Sequence, residues 1–201
     1  MYADDTTLYA KLSSFGRSAT NEINTEVTNI NDWLKINKLS LNVTKTNFMI
    51  FHKPRRKFET PQITLNGVTL EKCSSFNFLG IKFNENLTWS DHTKLVSLKI
   101  SRTIGQLKCL KNFIPSKVLL TLYHALIVPH LTYGILIWGI NAKDLLKQQK
   151  KAIRLATNSR FNAHTQPIMK TFELLNIMDL YKLRQLNFYY RLKGNTLPPL
   201  L

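Results

Sequence analysis

Acidic side chains become scarce early in this sequence. Residues 1–50 hold five acidic and five basic side chains, whereas residues 51–201 hold seven acidic against 23 basic. The whole formal excess of +16 therefore lies after the first quarter of the chain. A neutral, acid-bearing start followed by a basic body fits an anion-binding surface beside a metal-binding turn. Its plain counterpart is a solvated basic surface that only aids solubility. Cysteine is nearly missing: Cys73 and Cys109 stand alone, neither in a CxxC pattern. That excludes a zinc framework or a disulfide scaffold and fits a reducing compartment. Glycine and proline number seven each, with no low-complexity run and no internal repeat. A secretory leader is not expected at the start, because Asp4 and Asp5 stand where a basic and then apolar stretch is needed. An intracellular protein, acting in nucleus or cytoplasm, is the expectation.

Charge of either sign is also missing from Val118 to Ala142, between Lys117 and Lys143. That length matches a bilayer. The stretch nonetheless contains Pro129, His124, His130, Gly134 and Gly139, and Pro129 breaks a helix near its middle. Two buried helices meeting at Pro129 are expected, and no membrane partner.

What is present suits a packed protein of one or two domains: 201 residues, 44% of them hydrophobic. Asp4-Asp5 read as a turn, with Thr6, Leu8 and Tyr9 leaving it as a strand. Ile23, Val27, Ile30 and Leu34 recur at steps of four, three and four, the apolar face of a helix capped by Ser18 or Thr20 and ending near Asn37. Phe48 to Phe51 read as a short strand, and Lys53–Lys57 as a basic loop. Ile63 and Leu65, Asn66-Gly67, then Val68 and Leu70 carry a strong hairpin signal, since both turn residues accept positive φ. Phe76 to Phe83 read as a further strand with both faces in use.

After Trp89 the pattern is helical. Val96, Ile100, Ile104 and Leu107 line one helix, Pro115 and Pro167 open others, and Asp179 is placed to cap the last. Lys143, Lys147, Lys150, Lys151 and Arg154 share one helical face, with Leu146, Gln149, Ile153 and Ala156 toward another side. The fold class expected is α+β: a strand-rich front over 1–83 and a helical region over 84–201, joined near Asn84–Ser90.

Two adjacent carboxylates carry the sharpest chemistry. In a tight turn both approach one spot, where their repulsion requires a cation. Mg²⁺ takes carboxylate oxygens together with substrate phosphates, and two such ions activate a 3′ hydroxyl and stabilise a leaving pyrophosphate. Asp-Asp alone is more often a plain acidic turn.

The surroundings change that balance. Tyr2-Ala3-Asp4-Asp5 with Thr6-Thr7-Leu8 resembles the catalytic hairpin of reverse transcriptases. Trp33, Asn37, Leu39, Leu41-Asn42, Lys45-Thr46 and Met49-Ile50-Phe51 resemble the next block of the non-LTR retrotransposon enzymes. Phe78-Leu79-Gly80-Ile81 resembles their primer grip, and Leu87-Thr88-Trp89 with His92 the entry to their thumb. Tyr133-Gly134, Trp138-Gly139 and the basic Gln148–Arg154 helix resemble sequence beyond the polymerase in jockey-like elements. The blocks follow the family's order over most of the chain.

The resemblance implies a partial polymerase palm from 1 to 83, followed by an all-α thumb-like region. It implies that Asp4 and Asp5 hold Mg²⁺ (or Mn²⁺), with Asp4 the direct ligand and Asp5 its support. Tyr2 and Ala3 shape the hairpin beside the primer end. Lys45 matches a lysine that protonates pyrophosphate, or is a surface lysine near phosphate. Phe78, Leu79 and Gly80 match the primer grip, where glycine lets backbone approach nucleic acid. Lys94, Lys99, Arg102 and Lys108, with Lys147, Lys150, Lys151 and Arg154, are the candidates for contact with the template–primer backbone, which positions rather than specifies. The implied partners are an RNA template, a DNA primer and deoxynucleoside triphosphates. Fingers and another catalytic aspartate lie upstream of the hairpin in such enzymes, so the expectation is a fragment of an RNA-directed DNA polymerase, inactive alone. The alternative is a non-catalytic nucleic-acid-binding remnant that keeps only the basic helices.

Overall fold

The computed structural model describes residues 6–11, 17–56 and 58–197. Among the described residues it is a mixed α and β structure in which helices dominate and the sheets are three separate two-stranded pairs. It divides into two compact units: the described residues of Met1–Phe76 with Asn84–Leu87, and Asn77–Phe83 with the described residues of Thr88–Leu201. Phe78–Ile81, expected with the front of the chain, thus packs with the helices.

In the first unit, helix α1 (Arg17–Ile36) follows the four-three-four spacing of its apolar residues. Ser18 and Thr20 lie inside it, so neither is its cap. Leu34 is buried, and Ile23 and Val27 pack on a small core of Ile63, Leu65 and Leu70. The Asn66-Gly67 turn forms as expected, with φ of 52° and 77° joining β2 (Thr64–Leu65) to antiparallel β3 (Val68–Thr69). Two asparagines about two helical turns apart on α1 hold this hairpin. Asn24 donates to the Gln62 carbonyl at 3.1 Å and accepts from the Thr64 amide at 2.9 Å, while Asn31 donates to the Asn66 side chain at 2.8 Å. The strand expected over Phe48 to Phe51 is only β1 (Asn47–Phe48), paired in parallel with β4 (Glu71–Lys72). Residues 6–11 are exposed and form no strand, since no described segment pairs with them. Glu85 meets His52 at 3.3 Å and Lys72 at 3.2 Å, and the Lys72 ammonium holds its carboxyl below the usual range.

The expected strand over Phe76 to Phe83 is instead a hairpin, β5 (Ser75–Phe78) and β6 (Ile81–Asn84), turning at Leu79-Gly80. Its tip belongs to the second unit. There α2 (Ser90–Leu110), α3 (Ser116–Leu126), α4 (Val128–Thr132) and α5 (Ile135–Trp138) lead to a 3-10 segment, Gly139–Leu145. α6 (Leu146–Ala156), α7 (Thr165–Thr171) and α8 (Ile177–Lys193) complete the unit.

The uncharged stretch bends by 54° between Ser116–Thr132 and Ile135–Ala156, at Tyr133-Gly134 rather than at Pro129. Pro129 has no N–H for the carbonyl four residues earlier, which interrupts the helix only locally at Ile127, while the Ile127 and Leu131 amides keep their bonds to the Tyr123 and Ile127 carbonyls at 3.0 and 3.2 Å. Leu119, Tyr123, Ile127 and Leu131 continue one buried stripe across the break. Among the described residues no single helix is long and apolar enough to cross a membrane. Each such fully buried aliphatic side chain stabilises the fold by roughly 1.5–3 kcal/mol.

A polar residue organises this core. Gln149, fully buried on α6, donates to the Tyr123 hydroxyl at 3.1 Å and the Leu175 carbonyl at 3.0 Å, and accepts from the Ile177 amide at 2.8 Å. Burial raises the Tyr123 phenol above its ordinary pKa. The cap of α8 is Asn176, not Asp179: its side chain accepts from the Met178 and Asp179 amides at 2.9 and 3.0 Å. Asp179 instead sits in the first turn, where the carboxylate suits the positive helix end.

Candidate nucleic-acid interface

The tip of the β5–β6 hairpin places Leu79 at φ 47° and Gly80 at φ 78°. Consecutive left-handed residues match the right-handed twist of the strands they join. Glycine takes this conformation freely, but leucine gives up about 1–2 kcal/mol. A distant side chain offsets part of that cost. The Tyr133 hydroxyl donates to the Leu79 carbonyl at 2.5 Å, and its ring lies 3.4 Å from where a Gly80 Cβ would stand. Glycine is therefore favoured by the turn's conformation, and a Cβ there would stand in contact with the tyrosine ring.

The next residues of the hairpin are held as firmly. Gly134, at φ 59°, lets the chain pass so close to Ile81 that any Cβ would collide with that side chain. The Lys82 amide donates to His92 Nδ1 at 3.2 Å. The His92 ring tilts against Trp138 with centroids 5.2 Å apart. Trp138 is fully buried and donates from Nε1 to the Tyr133 carbonyl at 2.9 Å. Phe83 meets Trp89 edge to face at 5.1 Å, and Asn141 donates to the Thr88 carbonyl. Gly139 leaves room for the Tyr181 ring. Residues from two later stretches of sequence, 89–92 and 133–134, thus meet the hairpin directly, and Trp138 holds both His92 and Tyr133 behind it. Burial first, and the Lys99 charge second, hold His92 below its ordinary pKa. With Nδ1 accepting, the neutral ring carries its proton on Nε2, which has no hydrogen-bond partner among the described residues.

The basic candidates divide by role. On α2, Lys94, Lys99, Arg102 and Lys108 are exposed, opposite the buried Val96, Ile100, Thr103 and Leu107. None of the four pairs with a carboxylate among the described residues. On α6, Lys147 and Lys151 are exposed and Lys150 half-buried. Arg154 differs, because its Nε donates to the Ala163 carbonyl at 2.7 Å and so braces the loop after α6. Lys143 lies in the 3-10 segment before that helix.

Asp4 and Asp5 lie outside the described residues. Their adjacent oxygen donors suit Mg²⁺ chemically. Among the described residues no group of three or more His, Cys, Asp or Glu could hold a metal. Lys45 is exposed at the end of the 3-10 turn Val43–Lys45, ahead of β1. The sequence reading missed the Tyr133 hydroxyl as the clamp on Leu79 and the imidazole of His92 as the partner of Lys82. Both residues stand in motifs quoted for resemblance, which was the available signal.

No family model matches the chain, and no solved structure matches it. Curated proteins of Drosophila melanogaster do. The chain is 24% identical over 185 residues to the RNA-directed DNA polymerase from mobile element jockey, covering 89% of this chain and 20% of that protein. It is 29% identical over 164 residues to the probable RNA-directed DNA polymerase from transposon BS, covering 78% and 18%. It is 21% identical over 169 residues to the corresponding protein of transposon X-element, covering 81% and 18%. The chain spans about a fifth of the length of these relatives. Over most of its length, then, this chain is similar to one part of the RNA-directed DNA polymerases of non-LTR retrotransposons.

Proposed function

We propose that this chain is the part of an RNA-directed DNA polymerase that runs from the catalytic carboxylate turn through the primer grip into a basic, thumb-like helical region. The convergence of separate motif blocks on the β5–β6 hairpin carries the reading: Trp89, His92 and Tyr133-Gly134 meet it directly, and Trp138 holds Tyr133 and His92 in place. A braced tip is what holding a primer end demands, since small displacements of a reacting end lower the rate steeply. In the intact polymerase, Asp4 and Asp5 would hold Mg²⁺ (or Mn²⁺), which would neutralise the developing phosphate charge. Lys45 faces the pyrophosphate, and Phe78, Leu79 and Gly80 position the primer. The exposed lysines and Arg102 of α2, with Lys147, Lys150 and Lys151 of α6, hold the backbone of an RNA template and DNA primer. Deoxynucleoside triphosphates are the substrates.

Two measurements test this. Binding of an RNA–DNA hybrid to the chain is followed by fluorescence anisotropy across a salt series. Combined alanine substitution of Lys94, Lys99, Arg102 and Lys108 is expected to reduce the salt slope by about 0.7–0.9 for each phosphate contact removed. An unchanged slope removes α2 from the interface. In a polymerase carrying this segment, Asp4→Asn is expected to abolish RNA-templated incorporation while hybrid binding persists. Undiminished incorporation sinks the catalytic assignment. Hybrid binding by the chain with no Mg²⁺-dependent rise in melting temperature favours the non-catalytic remnant.

A further inference from the structure

The first turns of α8 belong to the core: Ile177 is fully buried, and Met178, Leu180 and Tyr181 pack on it. From Lys182 onward every helical residue is exposed. This outer half is neither plainly polar nor amphipathic. Leu183, Leu186, Phe188, Tyr189, Tyr190 and Leu192 all stand in solvent, Tyr189 at 62% and Tyr190 at 80% exposure. Lys182, Arg184, Arg191 and Lys193 are interleaved with them, and no acidic residue follows Asp179. Lys182, Leu186, Tyr189 and Lys193 fall at steps of four, three and four, so they form one line along the helix, with Tyr190 beside it.

Three kinds of partner fit exposed apolar surface, and the pattern separates them. A membrane-surface helix gathers its apolar residues on one side and its cations on the other. A helix that docks on protein needs a continuous apolar stripe. Here leucines, aromatics and cations are distributed around the helix. Aromatic rings alternating with cations, and unopposed by acids, match a surface on which bases stack while phosphates are neutralised. We propose that the outer half of α8 binds single-stranded nucleic acid, with Tyr189 and Tyr190 as stacking platforms and Lys182 and Lys193 as phosphate contacts about 16 Å apart along the axis. This surface lies outside the motifs assigned to catalysis or to the primer grip, and it does not depend on polymerase activity.

The test uses the whole 201-residue chain and a short, unstructured, fluorescently labelled single-stranded RNA, read by anisotropy. Tyr189→Ala with Tyr190→Ala is expected to weaken binding by roughly tenfold or more, at an unchanged salt slope. Tyr189→Phe with Tyr190→Phe retains affinity, because the ring face remains. Lys182→Ala with Lys193→Ala lowers the salt slope by about 1.4, the value for two contacts on a single strand. All these positions are exposed, so unchanged melting temperatures accompany each result. Wild-type affinity in the double alanine variant overturns the proposal. So does concentration-dependent self-association that the same variant abolishes, which identifies a protein-docking face instead. The α2 substitutions, measured on duplex, report separately on the polymerase reading.

Discussion

Tyr133 donates its phenolic proton to the carbonyl of Leu79 across 54 positions of sequence, and this bond closes the tip of the β5–β6 hairpin. A side chain distant in sequence thus fixes a turn whose first residue, Leu79, disfavours its left-handed conformation. Tyr133→Phe retains the ring against Gly80 and removes the bond. Because Tyr133 is partly exposed, the expected loss is near the lower end of the usual 0.5–1.5 kcal/mol. The sharper readout is local: the Lys82 amide should exchange with solvent faster, by hydrogen-exchange mass spectrometry, while α6 amides stay unchanged. Equal exchange of Lys82 in both proteins would remove Tyr133 from the clamp.

Two glycines make an opposed pair of predictions. Gly134 has positive φ and lies so close to Ile81 that a methyl group would force the end of that side chain to shift, whereas Gly105 lies within α2 with open space around it. Gly134→Ala is expected to destabilise by at least about 1–2 kcal/mol, from backbone conformation alone. Gly105→Ala is expected to stabilise by about 0.5–1 kcal/mol. In a chain of this size each kcal/mol shifts the melting temperature by roughly 2–4 °C. Shifts of the same sign in both variants contradict the account.

His92 couples stability to pH. Its folded pKa lies below the ordinary value of 6.5, so at pH between the two the unfolded chain binds more protons. Stability is therefore greatest above pH 6.5 and falls as the solution is acidified toward the folded value. Protonation also places a hydrogen on Nδ1, where the Lys82 amide already donates. Urea melts at pH 7.5 and pH 5 should show this loss, and His92→Asn, which keeps an acceptor without titrating, should reduce it. His130, shifted downward by burial, accounts for part of what remains. An identical loss in wild type and variant rules His92 out as a source.

Gln149→Leu preserves approximate size and removes three hydrogen bonds. Each buried partner left unpaired costs roughly 1–3 kcal/mol, and the Ile177 amide and Leu175 carbonyl have few alternatives. A marked drop in the urea midpoint is expected; a midpoint equal to wild type would show that water replaces the amide.

What the sequence revealed followed how local each cause is. The Asn66-Gly67 turn and α1 were legible because turn chemistry and apolar spacing act within a few residues. The mixed α and β class followed from the same signals. The Leu79-Gly80 turn was read as continuous strand, because leucine carries no turn signal and its stabiliser stands at Tyr133. The cap of α8 was misplaced by three residues, since Asn176 and Asp179 both suit a helix start and only geometry separates them. A strand over 6–9 required a partner that local pattern does not specify. Arg154 counted as a free cation until Ala163 was found on its Nε.

Trp138 has a consequence for measurement. Its indole is sealed from water, hydrogen-bonded to the residue that clamps the hairpin tip, and in contact with the imidazole that anchors the following strand. With Trp33→Phe and Trp89→Phe in place, one indole remains, at the centre of that knot. Its emission then becomes an intrinsic optical gauge: a red shift when the tip loosens, and quenching when the imidazole takes up a proton.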